Sequence, residues 1–370
     1  MDQERLSFLA LHFTPGVGDQ LIKQLVGYCG SASEVFKKPK GKLLKVPGIG
    51  NVTAEAILNG KPIAAAENEL RTAEKEEAEL LLYYDKKYPE RLRAIDDAPS
   101  LLYWKGNINL NHPKTIGIVG TRQATDYGKQ AVEKIIEDLI PHQVLVISGL
   151  AYGIDIQAHK QALKKNLNTV GVMGSGLDVI YPAAHKETAR KMVQQGGLLT
   201  ENHFGTKPDA HNFPARNRII AGMCDALIVV EAAQTGGALI TADIANSYNK
   251  DVFAVPGGIG QTYSEGCNKL IKTNRAHLFT SVQDLEFIMS WKKDGDATQK
   301  DVFSPASWND LNPEEKAVLT VMKQKDEPIQ IDELAWKSAM PQGVLASMLL
   351  NLEFKNLVQS MPGKLFRLVR

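Results

Sequence analysis

From residue 115 onward the chain alternates short apolar runs with amphipathic stretches. TIGIVG (115–120) precedes a helical pattern over about 127–140, QVLVISG (143–149) precedes IDIQAHKQALKK, and NTVGVMGSG (168–176) precedes HKETARKMVQQ. GLLTEN leads through a basic loop to ARNRIIAGM, ALIVVEAA precedes ALITADIANSYN, and DVFAVPGG precedes SEGCNKLIKTN. Continuous β-branched runs flanked by amphipathic helices predict a parallel sheet covered on both faces. The fold class is α/β: a Rossmann-like, doubly wound, mostly parallel sheet over residues 71–293, entered through a charged stretch and the segment 80–106.

Residues 1–70 read as short helices broken by two similar turns, PGVG (15–18) and PGIG (47–50). The second, in LLKVPGIGNVTAEAIL, places Val46 and Ile49 around glycines that open a tight turn between helices, and it resembles the helix-hairpin-helix motif, whose backbone N–H groups can hold a phosphate. Neither copy is read as carrying the Lys or Arg cluster that accompanies phosphate contacts, which favours a structural or protein-binding role. Residues 294–308 turn polar and read as a linker. In 309–370, three helical patterns precede NLVQSMPGKLFRLV, which fits a hairpin wing turning at Pro362 and Gly363, so a winged helix is expected. Its charges balance, and its recognition helix PQGVLASMLLNLEFKN offers few groups to bases or phosphates.

The 370 residues are 44% hydrophobic and 23% charged, ordinary for a globular protein of two or three domains. A formal net charge of +1 excludes coating of nucleic acid by bulk attraction, so any such site is a local patch. Cys29, Cys224 and Cys267 are odd in number and lack a CxxC pair, which argues against a disulfide framework or a zinc site. No signal peptide or membrane span is evident, and a reducing, cytoplasmic location is expected.

NHFGTKPDAHNFPARNRIIAGMCD (202–225) sets Lys207, Arg216 and Arg218 beside Phe204 and Phe213. Pro214 suits the first helical position, which puts both arginines in the first turn, where an anion is favoured and a cation is not. Basic groups interleaved with aromatics fit single-stranded nucleic acid; the alternative is an Arg paired internally with Glu201 or Glu231. In a doubly wound sheet, ligands bind beyond the carboxyl ends of the strands. Those ends carry Gly120-Thr121-Arg122, Ser148-Gly149-Leu150, Gly174-Ser175-Gly176, Gln234-Thr235-Gly236-Gly237 and Pro256-Gly257-Gly258, and such glycines let backbone N–H groups approach an anion. No GxxxxGK[ST] loop occurs, and GTRQATDYG replaces GxGxxG, so neither ATP hydrolysis nor dinucleotide redox chemistry is supported. His159, His185, His203 and His211 lack metal spacing, Ser148 has no evident base partner, and Asp155 and His159 read as capping or core groups.

GIVGTRQATDYG, VISGLAYGIDIQAHKQAL, VGVMGSGLDVIYPAAHK, NFPARNRIIAGMCDALIVVEAAQTGGALITADIA and VFAVPGG followed by SEGCNKLI closely resemble the DNA-processing protein A (DprA, or Smf) family over about 88–279. The flanking domains resemble that family's additions, a sterile-alpha-motif-like or helix-hairpin-helix domain and a winged helix. The resemblance implies a non-catalytic protein of natural transformation and competence, a recombination mediator that binds single-stranded DNA in the crevice. It also implies dimerisation, loading of RecA recombinase and contact with single-strand-binding protein, with no cofactor, metal or membrane. By motif, Arg122, Lys207 and Arg218 would hold phosphates, with Gly120, Thr121, Ser148, Gly149, Gly174 and Arg216 lining the pocket. Phe213 would stack on a base, and Gly266, Asn268 and Lys269 would complete the wall. Met223 and Cys224 stand where the family usually has Leu and Ser. The rival is an enzyme: PGGIG (256–260) resembles the PGGxGT signature of the nucleoside-monophosphate phosphoribohydrolases, but Gln261 replaces the Thr and the expected Glu is missing.

Overall fold

The computed structural model describes residues 3–209, 212–291, 311–325, 328–338, 340–355, 357–361 and 365–368. One compact unit spans Met1–Asp294 and a second Gly295–Arg370. The expected linker 294–308 lies outside the described residues.

Six helices open the chain: α1 (Gln3–His12), α2 (Asp19–Cys29), α3 (Ala32–Lys37), α4 (Lys40–Leu43), α5 (Asn51–Leu58) and α6 (Lys61–Lys75). Helix α6 runs through the boundary expected at residue 70, because Ala66 and Ala73 keep its inner face apolar on both sides of that point. The two turns are the same backbone used twice. Gly16 and Gly48 sit at φ +77° and +86°, a region that disfavours other residues, while Gly18 and Gly50 each cap a helix at φ −98°, ψ 176°. Val17 N–H donates to Thr14 O and Ile49 N–H to Val46 O, both at 3.1 Å. The copies pack reciprocally, Gly16 facing Thr53 and Gly48 facing Leu21.

The sheet domain runs β1 (Glu79–Leu82), α7 (Glu90–Arg93), β2 (Leu101–Gly106), β3 (Thr115–Val119), α8 (Asp126–Leu139), β4 (Leu145–Ser148), α9 (Ile154–Lys164), β5 (Thr169–Val172), α10 (Lys186–Gln194), β6 (Gly196–Thr200), α11 (Asn212–Met223), β7 (Ala226–Val229), α12 (Gly237–Ser247), β8 (Asp251–Ala254), α13 (Glu265–Lys272), β9 (His277–Leu278) and α14 (Val282–Ile288). Strand order is β1-β2-β6-β5-β4-β3-β7-β8-β9, with β6 through β9 parallel. The first two strands are antiparallel, β2 pairing with both β1 and β6. Each of β3 to β7 is buried along its length, which is why its sequence shows unbroken apolar runs instead of alternation.

Chain progression reverses between β3 and β7, the switch point where a doubly wound sheet opens a crevice. The helical region shares a core with one face of this sheet, Phe8, Leu9 and Leu11 joining Leu101, Tyr103 and Leu198. Polar contacts also cross the junction. Asp19 accepts from Ser100 N at 2.8 Å, Lys23 donates to Ala98 O at 2.8 Å, and Glu69 accepts from Phe204 N at 2.8 Å.

The second unit holds α15 (Pro313–Lys325), β10 (Ile329–Gln330), α16 (Ile331–Ser338), α17 (Gln342–Phe354), β11 (Val358–Met361) and β12 (Leu365–Leu368), its sheet ordered β10-β12-β11. Val318, Leu319, Leu334, Leu345 and Leu349 form its core. This is the three-helix and hairpin layout expected; the wing's turn at Pro362 and Gly363 lies outside the described residues.

Candidate nucleic-acid interface

A crevice of about 590 Å³ opens at the switch point. The tail of β3 supplies Gly120, Thr121 and Arg122, and the stretch after β7 supplies Ala232, Ala233 and Thr235. Gly236 and Gly237 bring the α12 N-terminus to the opening, and the start of α11 supplies Phe213 and Arg216. Its sides join because Thr121 N–H donates to Glu231 O at 2.7 Å. Glu231 is buried and spends its carboxylate on the next loop, accepting from Thr125 N at 3.0 Å and Thr125 Oγ1 at 2.6 Å. The α12 N-terminus offers first-turn N–H groups and the positive end of a helix dipole, both suited to phosphate.

Arg122 is exposed, and its guanidinium lies 5.5 Å from the centre of the Phe213 ring. On the same wall Tyr181 lies 6.0 Å from Phe213, centre to centre. A smaller recess continues from the crevice, lined by Arg122, Gly149, Tyr152, Gly174, Tyr181 and Phe213. The rim therefore combines a cation with rings half open to solvent, the pairing that single-stranded nucleic acid requires for phosphates and base faces.

Behind the rim, Arg216 is an internal group, only 4% exposed. The sequence placed it in the first helical turn with Pro214 leading; α11 instead begins at Asn212, with Pro214 third, which carries Arg216 into the next turn and faces it inward. Its Nη1 donates to Val172 O at 2.5 Å and to Gly149 O. Its Nε is buried without a hydrogen-bond partner among the described residues. Burial pushes the Asp155 carboxyl up while the Arg216 charge beside it and hydrogen bonds from the Ala151 and Gly149 backbone hold it down. A Cβ at Gly149 would collide with both the Arg216 guanidinium and the Asp155 carboxylate, so only glycine fits there. His159, fully buried, makes a 2.7 Å hydrogen bond to Thr169 Oγ1 through Nδ1, and burial together with the charge of Arg216 pulls its pKa down to about 3. Arg216, hydrogen-bonded to the Gly149 and Val172 carbonyls with the charge of Asp155 close by, is a buried support under the crevice floor.

Several expected site residues lie elsewhere. Arg218 pairs with Glu201 and donates to Asp97 O, with Asp19 at 3.9 Å, so the internal-carboxylate alternative describes it. Its side chain is turned to the junction with the helical region, since α11 is buried on most of its circumference and one helix cannot aim residues two apart at the same wall. Burial meanwhile pushes the Glu201 carboxyl up. Phe204 is core, 9% exposed and edge-on to Tyr103 at 5.4 Å. Ser148 is buried and donates to Ile118 O at 2.6 Å, so it sits beneath the pocket. Asn268 clamps the loop after β8 through Gly257 N at 3.2 Å and Gly257 O at 3.0 Å, and neither it nor the exposed Lys269 lines the crevice. Gly266 packs against the Ala232 and Ala233 carbonyls. Lys207 is exposed and precedes Pro208, which does line it. Tyr152 and Tyr181, each 49% exposed, were not singled out from the sequence. Both stand just past the Gly-rich strand ends in GLAYG and VIYP, and an aromatic in such a position was the available signal.

Family models fit this layout in chain order. The model for DNA recombination-mediator protein A matches residues 79–289, that for the DprA winged helix domain residues 304–364, and that for a SAM-like helix-hairpin-helix tandem residues 8–60. The chain belongs to the DNA-processing protein A family. It is 31% identical to the Smf protein of Synechocystis over 98% of both chains, and 43% identical to DNA processing protein DprA of Streptococcus pneumoniae over 54% of this chain and 71% of that one. Among solved structures, DNA processing protein A from Streptococcus pneumoniae aligns with a TM-score of 0.67 at 33% identity, covering 76% of this chain and 96% of that one. DNA processing protein A from Helicobacter pylori, described for its single-stranded DNA binding mode, aligns with a TM-score of 0.53 at 28% identity, covering 58% and 96%.

Proposed function

We propose that this DNA-processing protein A family member binds single-stranded DNA in the crevice without catalysing a reaction on it, and that it loads RecA recombinase onto incoming strands during natural transformation. The observation that carries the binding reading is the Arg122–Phe213 pair on the wall of a crevice whose far side is the α12 N-terminus. Phosphates would run past Arg122, Lys207 and the glycine-rich turns, with a base against Phe213. The single-strand binding described for the Helicobacter pylori relative supports this reading. Family membership supports a recombination-mediator role, for which a homodimer, RecA and single-strand-binding protein are the proposed partners and the cytoplasm the proposed site of action. Among the described residues no helix is long and apolar enough to cross a membrane.

Absence of catalysis is part of the proposal. The Ser148 hydroxyl is committed to a carbonyl, and His159 reaches Thr169 instead of a nucleophile. Titration of the full chain with labelled single-stranded and duplex oligonucleotides tests the reading, with preference for the single strand expected. Release of free base from nucleoside monophosphates, lost on Gly257→Ala, would support the phosphoribohydrolase alternative instead.

A further inference from the structure

The segment 97–100 runs between α7 and β2, outside the crevice, yet each of its residues is held by a side chain from elsewhere in the fold. From the helical region, Asp19 accepts from Ser100 N at 2.8 Å and from Ser100 Oγ at 2.5 Å, and Lys23 donates to Ala98 O at 2.8 Å. Tyr88 donates to Pro99 O at 2.6 Å. From the other side, Arg218 of α11 donates to Asp97 O, and Tyr248 at the end of α12 donates to Asp97 Oδ1 at 2.5 Å. Ala98 and Ser100 are buried, so water cannot take the place of a lost partner there. Asp19 also lies in the first turn of α2, where the helix dipole favours its charge.

One segment thus joins α2 to two helices at once, and those helices are walls of the crevice. Phe213 stands in the first turn of α11, and the α12 N-terminus forms the far side. Arg218 follows Phe213 by five residues on the same unbroken helix, about 7.5 Å along its axis. It is anchored a second time by Glu201, with Asp19 at 3.9 Å. Further along α11, Gly222 leaves room for Leu92 and Ile95, which lead into the segment. A rigid helix passes the placement of its middle on to its start, so whatever fixes Arg218 also fixes Phe213.

We propose that Asp19 and Lys23 are positioning residues for single-strand binding: they hold the segment 97–100, which sets α11 against α12 and so places Phe213 against the strand. The proposal rests on the crevice reading given above. The helical region then belongs to the binding device although it lends neither the crevice nor its recess a lining residue.

The test uses the full chain and a labelled homothymidine strand. Asp19→Ala should weaken binding about three- to tenfold, the size of effect that a substitution along a coupled network produces. The log–log salt slope should keep its wild-type value, because no phosphate contact is lost. Asp19→Asn retains an acceptor for Ser100 and should restore most of the affinity. Added to Phe213→Ala, Asp19→Ala should cost at most about twofold more, the non-additivity of residues that act through one ring. Tyr248→Phe removes only the hydroxyl bound to Asp97; it should weaken binding in the same direction and gives the answer if Asp19→Ala fails to fold. Arg5→Met cuts a different contact of the same junction, to Leu80 O at 2.8 Å and Asp85 at 2.6 Å, and should bind like wild type. If Phe213→Ala and Arg122→Ala bind weakly while folded Asp19→Ala and Tyr248→Phe bind like wild type, the positioning role is overturned and the crevice reading stands. Full additivity with Phe213→Ala, or an equal loss in Arg5→Met, would overturn it too. Unchanged binding in Phe213→Ala and Arg122→Ala would remove the crevice reading and this proposal with it.

Discussion

The Arg122 guanidinium stands 5.5 Å from the centre of the Phe213 ring, joining the tail of β3 to the first turn of α11 across the crevice wall. At an exposed site such a contact contributes only about 0.5–1 kcal/mol to stability. Its consequence is positional: a cation and a flat face are held together where two chain segments meet. Arg216, three residues along the same helix, is withdrawn beneath that wall to the Gly149 and Val172 carbonyls.

Arg122→Ala and Lys207→Ala are each expected to weaken single-strand binding without unfolding the protein. Each lost contact should flatten the log–log salt dependence by about 0.7. Phe213→Ala should cost about 1–3 kcal/mol of affinity with the salt slope unchanged, because it removes a stacking face and no charge. Fluorescence anisotropy at several salt concentrations separates the two effects, and wild-type behaviour in all three variants would exclude the crevice.

Arg216→Met is expected to act on stability first. It removes the charge beside the buried Asp155 and the donor to the Gly149 and Val172 carbonyls, and leaving a buried polar group unsatisfied typically costs about 1–3 kcal/mol. Adding Asp155→Leu should recover only the part of the loss that comes from the uncompensated Asp155 charge, since the two carbonyls stay without their donor. Urea unfolding followed by circular dichroism measures both, and a fully stable Arg216→Met protein with impaired DNA binding would return Arg216 to the rim.

Acid should destabilise the sheet domain through His159. Its folded pKa, pulled down to about 3 by burial and by the Arg216 and His185 charges, lies below its ordinary value of 6.5. The neutral ring's contribution is therefore complete above 6.5 and is lost as the pH falls from there toward 3, by about 1.4 kcal/mol per pH unit. His159→Gln should flatten the stability profile across that window relative to wild type. Parallel slopes for the two proteins would show that the ring titrates freely.

Removing everything after Asp294 is expected to change single-strand affinity by less than about tenfold, or about 1.4 kcal/mol. The preceding residues form a compact unit with its own core, and that unit contains the whole crevice. A folded truncation that no longer binds single strands would place the main site in the winged helix.

Much of this molecule was legible in local pattern. The unbroken apolar runs at 115–120, 143–149 and 168–176 became β3, β4 and β5, because a strand buried on both faces tolerates no polar alternation. The glycine turns after them marked the end of the sheet where a crevice opens. The antiparallel β1–β2 pair was less visible, since LLLYY and LLYWK mix burial on two faces with no turn of fixed type between them.

Residue order alone places two arginines, a lysine and two phenylalanines in 202–225, on a loop entering a helix. Their roles follow from packing. Phe213 reached the crevice while Phe204 entered the core, and on opposite sides of one helix Arg216 went to the Gly149 and Val172 carbonyls and Arg218 to the Glu201 carboxylate. The same division governs the duplicated hairpins, whose matching turns are readable in sequence although only packing reveals which copy is covered. Local patterns record backbone preference and residue type. The fate of a charged side chain depends on which neighbour the fold brings within a few ångströms, and burial makes that neighbour decisive.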